Sequence, residues 1–364
     1  MENGFFPTRA FWEKRRVFVT GHTGFKGAWL CMWLRELGAV VTGYALAPSS
    51  RPNMYDAVRL DTGVTSLIGD IRARGTLEQA LESARPEIVF HLAAQPLVRE
   101  AYASPLETIE VNVQGTANVL HACRTLPDLR SVVVVTSDKC YREGSDPHPF
   151  AEDDPLGGRD PYSASKACAE IVTAAFRASF FTRRSGSRKA AAVASARAGN
   201  VIGGGDWAKD RIVPDLVRAA MRDGVAVIRN PQAIRPWQHV LDPLAGYLML
   251  ARAASSDGAV YSESFNFGPG SADVATVDRL VEEFSRRWSS PLRREHRAEP
   301  SAPEEAPVLI LDAGKARKRL GWHPRLDLAQ AIELTVAWYE ASLARQDMAE
   351  HTRRQIAGYT ASAS

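Results

Sequence analysis

Tyr162 and Lys166 stand four residues apart in Tyr162-Ser163-Ala164-Ser165-Lys166, and on a helix that offset puts both side chains on one face. An ammonium beside a phenol favours the phenolate, which predicts a tyrosine brought from its ordinary ~10 toward working pH. Such a phenolate is a positioned base that takes an alcohol proton while hydride leaves the same carbon. In isolation the pattern occurs often by chance, and an exposed tyrosine and lysine is the default reading. Ser137 makes it informative: it follows the apolar run Ser131–Thr136 and brings a hydroxyl to the same region.

Ser137-Asp138-Lys139 is the most telling tripeptide. Polar residues that directly follow a buried parallel strand sit at its carboxyl end, where open α/β sheets bind ligands. A plain oxidoreductase uses the hydroxyl but has no need of the acid and base beside it. Asp138 and Lys139 together point to an elimination, one group protonating a departing hydroxyl and the other taking a carbon-bound proton. A solvated strand-end ion pair is the competing reading.

A third element carries a cofactor signature. Gly21, His22, Thr23, Gly24, Phe25, Lys26 and Gly27 form G-x-x-G-x-x-G after the short β-branched run Arg16–Thr20. One glycine makes the tight turn, one lets backbone approach a pyrophosphate, and one packs the following helix against the sheet. N–H groups at the helix start then meet the phosphate charge. The expected cofactor is NAD. Dinucleotide sites usually place an acidic residue at the end of the second strand, about 20 residues on; this chain has Tyr44-Ala45-Leu46-Ala47 there, followed by Ser49, Ser50 and Arg51. The missing carboxylate leaves NADP open, with Arg51 a candidate for its 2′-phosphate. Asp70 and Ile71, after the third strand, are the expected neighbours of the adenine, with a solvated turn the alternative for Asp70.

These groups must be held by something, and the pattern supplies it. Strand signals at 16–20, 40–46, 87–92, 131–136 and 190–197 alternate with helical stretches at 28–37, from about 93 to 126, and at 162–181. Strands alternating with helices of ten or more residues imply βαβ units and a doubly wound parallel sheet, so the fold class is α/β of Rossmann type. Past Asn200 the rhythm changes: Gly203, Gly204 and Gly205 mark a loop, and strands become shorter and fewer. The division expected is a dinucleotide-binding domain over 1–200 that includes the catalytic residues, a smaller α/β substrate domain over 201–344 with some chain exchange, and a flexible tail over 345–364. The stretch Pro291–Pro307 reads as a surface connection, Val308–Leu311 as a strand and Val277–Trp288 as a helix.

Composition narrows the function classes. The 364 residues are 45% hydrophobic and 24% charged, which excludes a disordered chain. Forty-five basic residues against forty-two acidic ones give a net charge of +3, too balanced for a nucleic-acid footprint. The four cysteines (Cys31, Cys123, Cys140, Cys168) form neither a C-x-x-C pair nor a zinc spacing, which suits a reducing compartment. No apolar run approaches the ~18–20 residues that cross a bilayer. A cytoplasmic enzyme with no metal, nucleic-acid or membrane partner is expected.

Taken together, the glycine turn, His91-Leu92-Ala93-Ala94-Gln95, Asn112-Val113-Gln114-Gly115-Thr116 and Tyr162…Lys166 resemble the extended short-chain dehydrogenase/reductase family of nucleotide-sugar enzymes. The segments GHTGFKG, HLAAQPLVR, TSDKCY, DPYSASK, RAGNVIGGGDWAKDR and IRPWQHV are similar to its 4,6-dehydratases, over about Phe11 to Tyr339. Where dTDP-sugar dehydratases carry Thr-Asp-Glu, this chain has Ser137, Asp138 and Lys139, with lysine in place of glutamate as in the branch acting on CDP-D-glucose. The resemblance implies that Tyr162, helped by Lys166 and Ser137, takes the C4 hydroxyl proton as hydride leaves. Lys139, as a neutral amine, then takes the C5 proton, Asp138 protonates the C6 oxygen, and hydride returns to C6.

It also implies cofactor contacts from the glycine turn with His22, from Asp70 and Ile71, from Leu92, Ala93 and Ala94, and from Tyr162 and Lys166. Substrate contacts are implied for Gln95, Arg99, Ser137, Asn200, Trp207, Lys209, Asp210, Arg211, Asn230, Arg235 and His239. Arg211 and Arg235 suit a diphosphate; Trp207 and Trp237 read as core packing or as stacking partners. A homodimer or dimer of dimers and a role in deoxysugar biosynthesis, as for O-antigen, follow from the same resemblance. A 4-epimerase, a dehydratase of another nucleotide glucose and a non-catalytic dinucleotide-sensing regulator are the alternatives. Asp138 and Lys139 argue against the epimerase, and the hydroxyl–tyrosine–lysine set argues against the regulator.

Overall fold

The order of the central strands determines where a ligand can enter. The computed structural model describes residues 4–144, 148–182, 190–222, 224–270, 273–297 and 309–361. Six strands, β1 (Arg16–Thr20), β2 (Val40–Ala45), β3 (Thr65–Ile68), β4 (Ile88–His91), β5 (Ser131–Val135) and β6 (Ala192–Ala198), join the strand Ser264–Phe267 in one sheet. From one edge the order is Ser264–Phe267, β6, β5, β4, β1, β2, β3, and every pairing is parallel. The direction of winding reverses between β1 and β4, so a crevice opens beyond Thr20 and His91, the standard ligand position in such sheets.

Alternate side chains of β5 serve two cores, which explains its unbroken run of valines. Val133 and Val135 pack with Trp29, Trp33, Leu244 and Leu248 from the helices Phe25–Glu36 and Leu241–Ser256. Val132 and Val134 pack on the other side with Leu77, Leu81, Val119 and Leu120 from Arg74–Ala84 and Gly115–Cys123. The helix Pro161–Phe180 flanks this second side and touches the turn after β5.

Chain beyond Asn200 serves both parts of the molecule. Leu241–Ser256 and Ser264–Phe267 return to the large sheet, while a smaller body is built from the helices Ile212–Met221, Val277–Arg287 and Leu328–Leu343 and from short strand pairs. One of those pairs corrects the expected surface connection: Arg293–His296 runs parallel to Val225–Ile228, and 298–308 lie outside the described residues. The strand expected at Val308–Leu311 reduces to a single bridge between Leu311 and Phe150, Val308 being outside the described residues.

The C-terminal segment departs most from expectation. Instead of a flexible tail, Met348–Ala361 is a helix that buries Met348, Ile356 and Tyr359, with 362–364 outside the described residues. Its polar composition hides a narrow apolar stripe, and its polar groups find partners. Tyr359 donates to Asp242 Oδ1 at 2.8 Å, Trp338 Nε1 donates to Thr352 Oγ1 at 3.0 Å, and the Tyr359 ring meets Trp33 edge-on.

Burial pushes the Asp242 carboxyl up to about 6, against the hydrogen bonds it accepts from Arg325 N–H and Tyr359. The folded state therefore holds this proton more tightly than the unfolded chain. Its stabilising contribution is full below the ordinary carboxylate value and is lost as pH rises through about 6. Asp242→Asn is expected to remove roughly 2–3 kcal/mol from the pH dependence of stability across that window, read as the change in denaturation midpoint between acidic and neutral buffer.

Candidate active site

At the end of β1 the backbone turns through Gly21 with φ 79°, a left-handed conformation that glycine adopts without strain. A Cβ there would lie 2.7 Å from Ala93 N, and one on Gly27 would collide with the Gly21 carbonyl. Gly24 occupies the N-cap of Phe25–Glu36 and offers no side-chain acceptor, which leaves the first-turn N–H groups directed at the crevice. The opposite lip is tied to the same strand end: Thr20 Oγ1 accepts from Leu92 N and Ala93 N, both at 3.2 Å, and bonds His91 Nδ1 at 2.7 Å.

These lips border one cavity of about 720 Å³, within the usual range for small-molecule sites. Gly21, Thr23, Gly24, Phe25, Lys26 and Gly27 line it, as do Asp70, Ile71, Leu92, Ala93 and Ala94. Ala45 to Ser50 continue the wall, held by Thr23 Oγ1 donating to Leu46 O at 2.8 Å. Arg51 is exposed and is not part of this wall. The Asp70 carboxylate accepts from Arg72 Nη2 at 2.6 Å and from Arg72 N at 2.8 Å; the Arg72 hydrogen bond holds it below the usual carboxylate range.

The catalytic candidates meet mid-cavity. Asp160 caps Pro161–Phe180 by accepting from Tyr162 N at 2.9 Å and Ser163 N at 3.0 Å. Tyr162 and Lys166 then present adjacent turns of one helix face to the cavity, where Ser137, Asp138 and Lys139 also line the wall. Ser137 Oγ donates to Asp138 Oδ1 at 2.9 Å and accepts from Lys139 N at 3.2 Å. Asp138 is 4% exposed, and burial raises its pKa, opposed by Lys139, Ser137 and Arg235. The pair thus faces the cavity rather than bulk solvent, contrary to the strand-end ion-pair reading.

One electrostatic expectation is reversed. Tyr162 is pushed up to about 12, chiefly by burial, with the Ser137 hydrogen bond and Arg211 acting against it. Lys166 is itself drawn down to about 8 by burial, opposed by Cys140 and Glu170. Desolvation is the largest cause of both shifts. Lys26, on the glycine turn, falls to about 8 through burial and then through the charges of Arg211 and Lys166.

Across the cavity stand Arg99, Asn200, Trp207, Lys209, Asp210, Arg211, Asn230 and Arg235. Two side chains absent from the sequence reading join them. Asp206 pairs with Arg211 at 2.8 Å, and Arg229 pairs with Asp210 at 2.8 Å. Asp206 lies inside the segment RAGNVIGGGDWAKDR, so an acid one residue before Trp207 was the available signal. Trp207 meets Tyr339 edge-on at 5.2 Å while also lining the cavity, and Trp237 donates to Ala275 O at 3.1 Å.

Three expected contacts lie off the wall. His22 turns beneath the glycine loop, where Nε2 bonds Ser66 Oγ at 2.7 Å and the ring fills the space above Gly43; burial lowers its pKa to about 4. Gln95 folds onto its own loop, accepting from Leu97 N at 2.5 Å and donating to Thr108 Oγ1 at 2.9 Å. His239 is buried against Trp29 and accepts from Leu241 N at 3.3 Å.

A family model described as GDP-mannose 4,6 dehydratase matches residues 18–335. The chain belongs to this family of nucleotide-sugar 4,6-dehydratases. It is 46% identical over 349 residues to the CDP-glucose 4,6-dehydratase of Salmonella typhimurium, covering 96% of this chain and 97% of that one. A dTDP-glucose 4,6-dehydratase of Streptomyces griseus is 29% identical, with 89% and 93% covered. Among solved structures, MoeE5 in complex with UDP-glucose and NAD superposes with a TM-score of 0.73 at 26% identity, over 90% of this chain and 99% of that one. The UDP-glucose-4-epimerase of Stenotrophomonas maltophila reaches a TM-score of 0.78 at 22% identity, over 91% and 99%, and shares the fold.

In this dehydratase the glycine turn separates two effects. A Cβ on Gly24 would meet its nearest protein atom at 3.4 Å, so Gly24→Ala is expected to keep the melting temperature and to weaken NAD binding about tenfold or more, roughly 1.4 kcal/mol. Gly27→Ala is expected to lower both. Thermal unfolding alongside NAD titration calorimetry distinguishes the two variants.

Proposed function

We propose that this dehydratase converts CDP-D-glucose to CDP-4-dehydro-6-deoxy-D-glucose plus water, with NAD as its cofactor. The observation that carries the reading is the buried Asp138 beside Lys139 on the same cavity wall as Tyr162 and Lys166. An epimerase needs only the second pair. The 46% identity to a CDP-glucose 4,6-dehydratase supports CDP as the nucleotide, and the lysine at position 139, where dTDP-sugar dehydratases carry glutamate, agrees with it.

NAD fits the cradle of Gly21, Gly24 and Gly27, whose bare backbone lines the cavity and where a Cβ on Gly24 would meet its nearest protein atom only at 3.4 Å; bound there, it would supply reversible hydride transfer. Thr23, Gly24, Phe25 and Lys26 would hold its diphosphate end, with Asp70 and Ile71 beside the adenine. Leu92, Ala93, Ala94, Tyr162 and Lys166 would complete its site.

Tyr162, hydrogen-bonded with Ser137, takes the C4 hydroxyl proton. A C4 carbonyl makes the C5 hydrogen acidic, and Lys139 removes it. Asp138, whose hold on its proton burial strengthens, gives that proton to the C6 oxygen, which leaves as water; C6 would then regain the hydride taken from C4, and Lys139 would return its proton to C5. Arg211 and Arg235 neutralise the diphosphate, while Asn200, Trp207, Lys209, Asp210 and Asn230 enclose the nucleotide sugar, with Arg99 toward the sugar.

The working form is proposed to be a cytoplasmic homodimer or dimer of dimers. Tyr102, Leu106, Ile109, Ile171 and Phe180 are exposed on the helices Val98–Ala103, Pro105–Ile109 and Pro161–Phe180, which pack together. A second copy covering that face accounts for apolar surface on one side of a soluble sheet.

Incubating purified protein with CDP-, dTDP-, UDP- and GDP-glucose is expected to give a 4-keto-6-deoxy sugar from the CDP compound; turnover confined to another nucleotide, or inversion at C4 without loss of water, would overturn the assignment. Tyr162→Phe is expected to lower kcat by about 10²–10⁴-fold. Leu106→Glu combined with Ile171→Glu is expected to yield monomers in sedimentation velocity.

A further inference from the structure

Glu170 is the third member of the helix face that begins with Tyr162 and Lys166, and it points away from the cavity into a buried ion pair. Its Oε2 accepts from Arg197 Nη2 at 2.8 Å, and the two side chains are 2% and 3% exposed. Oε1 accepts from Thr136 Oγ1 at 2.5 Å, and Oε2 also accepts from Ser195 Oγ at 2.8 Å. The other arm of Arg197, Nη1, donates to the Tyr141 hydroxyl at 2.7 Å, and that hydroxyl donates to Asn266 Oδ1 at 2.7 Å. Tyr141 in turn stacks on Phe150 with ring planes 4° apart.

The two anchored residues bracket the elimination turn. Thr136 immediately precedes Ser137-Asp138-Lys139-Cys140, and Tyr141 immediately follows it. One ion pair therefore grips both ends of the turn and fastens them to the helix that carries Tyr162 and Lys166. Burial opposes the Glu170 charge, but Arg197 and the hydroxyls of Thr136 and Ser195 outweigh it, so the carboxylate stays ionised.

We propose that Glu170 and Arg197 are positioning residues that keep elimination in step with oxidation, by holding the Asp138–Lys139 turn in register with Tyr162. Given the dehydratase reading above, adjacency on the sugar makes such a hold necessary. Tyr162 acts at C4 while Lys139 and Asp138 act at C5 and C6 of the same sugar. Groups serving neighbouring carbons must be placed to about an ångström, since displacements of that size carry large rate penalties. Buried ion pairs are weak contributors to stability compared with apolar packing; this one supplies direction, through oriented hydrogen bonds to β6, the strand Ser264–Phe267 and both ends of the turn. Tyr162 has its own anchor in the Asp160 cap and holds Ser137 through their hydrogen bond, so a loosened turn displaces chiefly Asp138 and Lys139 and impairs the steps at C5 and C6 more than proton removal at C4.

Thr136→Val and Tyr141→Phe each delete one hydroxyl of the clamp, and Glu170→Gln deletes its charge. In a single turnover with CDP-D-glucose, followed by the near-ultraviolet absorbance of reduced nicotinamide, the variants are expected to build up reduced cofactor while 4-keto-6-deoxy product forms about tenfold more slowly. The oxidation rate is expected to stay within about twofold of wild type, against a barrier change of about 1.4 kcal/mol for the later steps. Thr136→Ser, which keeps the hydroxyl, is expected to restore the wild-type ratio of the two rates. In protein without cofactor, amide hydrogen exchange over residues 137–141 is expected to quicken about tenfold in Thr136→Val and Tyr141→Phe. Should Glu170→Gln fail to fold, the two hydroxyl deletions still decide the matter. Equal slowing of both steps, or unchanged exchange in the turn, overturns the clamp. A wild-type protein that dehydrates while the variants keep its rate ratio overturns the clamp alone; a wild-type protein that forms no 4-keto-6-deoxy sugar overturns the dehydratase reading along with it.

Discussion

Burial of charged groups at the carboxyl ends of parallel strands is the constraint on which this molecule is organised. Tyr162, Lys166 and Glu170 recur at four-residue intervals on one helix face, and Asp138, after the end of β5, lines the same cavity as Tyr162 and Lys166. None of these groups is tolerated in a dry interior without partners. Asp138 takes the Ser137 hydroxyl, and Glu170 takes Arg197 with two hydroxyls. The same desolvation that makes these partners obligatory raises Asp138, which suits an acid, and lowers Lys166; it also raises Tyr162, against use as a base, and the Ser137 hydrogen bond and Arg211 act the other way.

The sheet topology converts that chemistry into a site. Reversal of strand order between β1 and β4 opens the crevice, and Thr20 stitches its two lips together. On one side lies the glycine turn, whose steric demands admit no side chain at Gly21 or Gly27. On the other lie residues from beyond Asn200, where Arg211 pairs with Asp206, Arg229 pairs with Asp210, and Arg235 lines the same cavity. Tyr162 and Lys166, proposed to remove the C4 proton, thus share one cavity with Asp138 and Lys139, proposed to carry the elimination. That combination suits a reaction whose first step creates the carbonyl on which its second step depends.

Much of this was legible in the sequence, for local reasons. The glycine turn announces itself because each requirement is steric and short-range, and Tyr162 and Lys166 because a helix repeats nearly every four residues. The run Ser131–Thr136 could only be a strand buried on both faces. What sequence missed depends on tertiary packing. His22 sits in the expected loop, yet its ring drops into the space above Gly43; nothing in the loop itself encodes that direction. Gln95 and His239 lie beside true wall residues with their side chains turned inward. The Tyr162 shift came out opposite because burial outweighs the Ser137 hydrogen bond and the Arg211 charge, and the extent of that burial is set by the fold and not by the local sequence. Met348–Ala361 read as frayed because three apolar residues in a polar segment carry little pattern until Trp33, Trp338 and Asp242 are known to face them.

The central claim is that hydrogen removed from one carbon of the sugar is delivered to another after water has gone, all within one cavity. Supplying CDP-D-glucose deuterated at C4 and locating the label in the product by NMR tests this most directly. The account predicts deuterium in the C6 methyl group of CDP-4-dehydro-6-deoxy-D-glucose. Deuterium found at C4 of a hexose that still carries its C6 hydroxyl would contradict it.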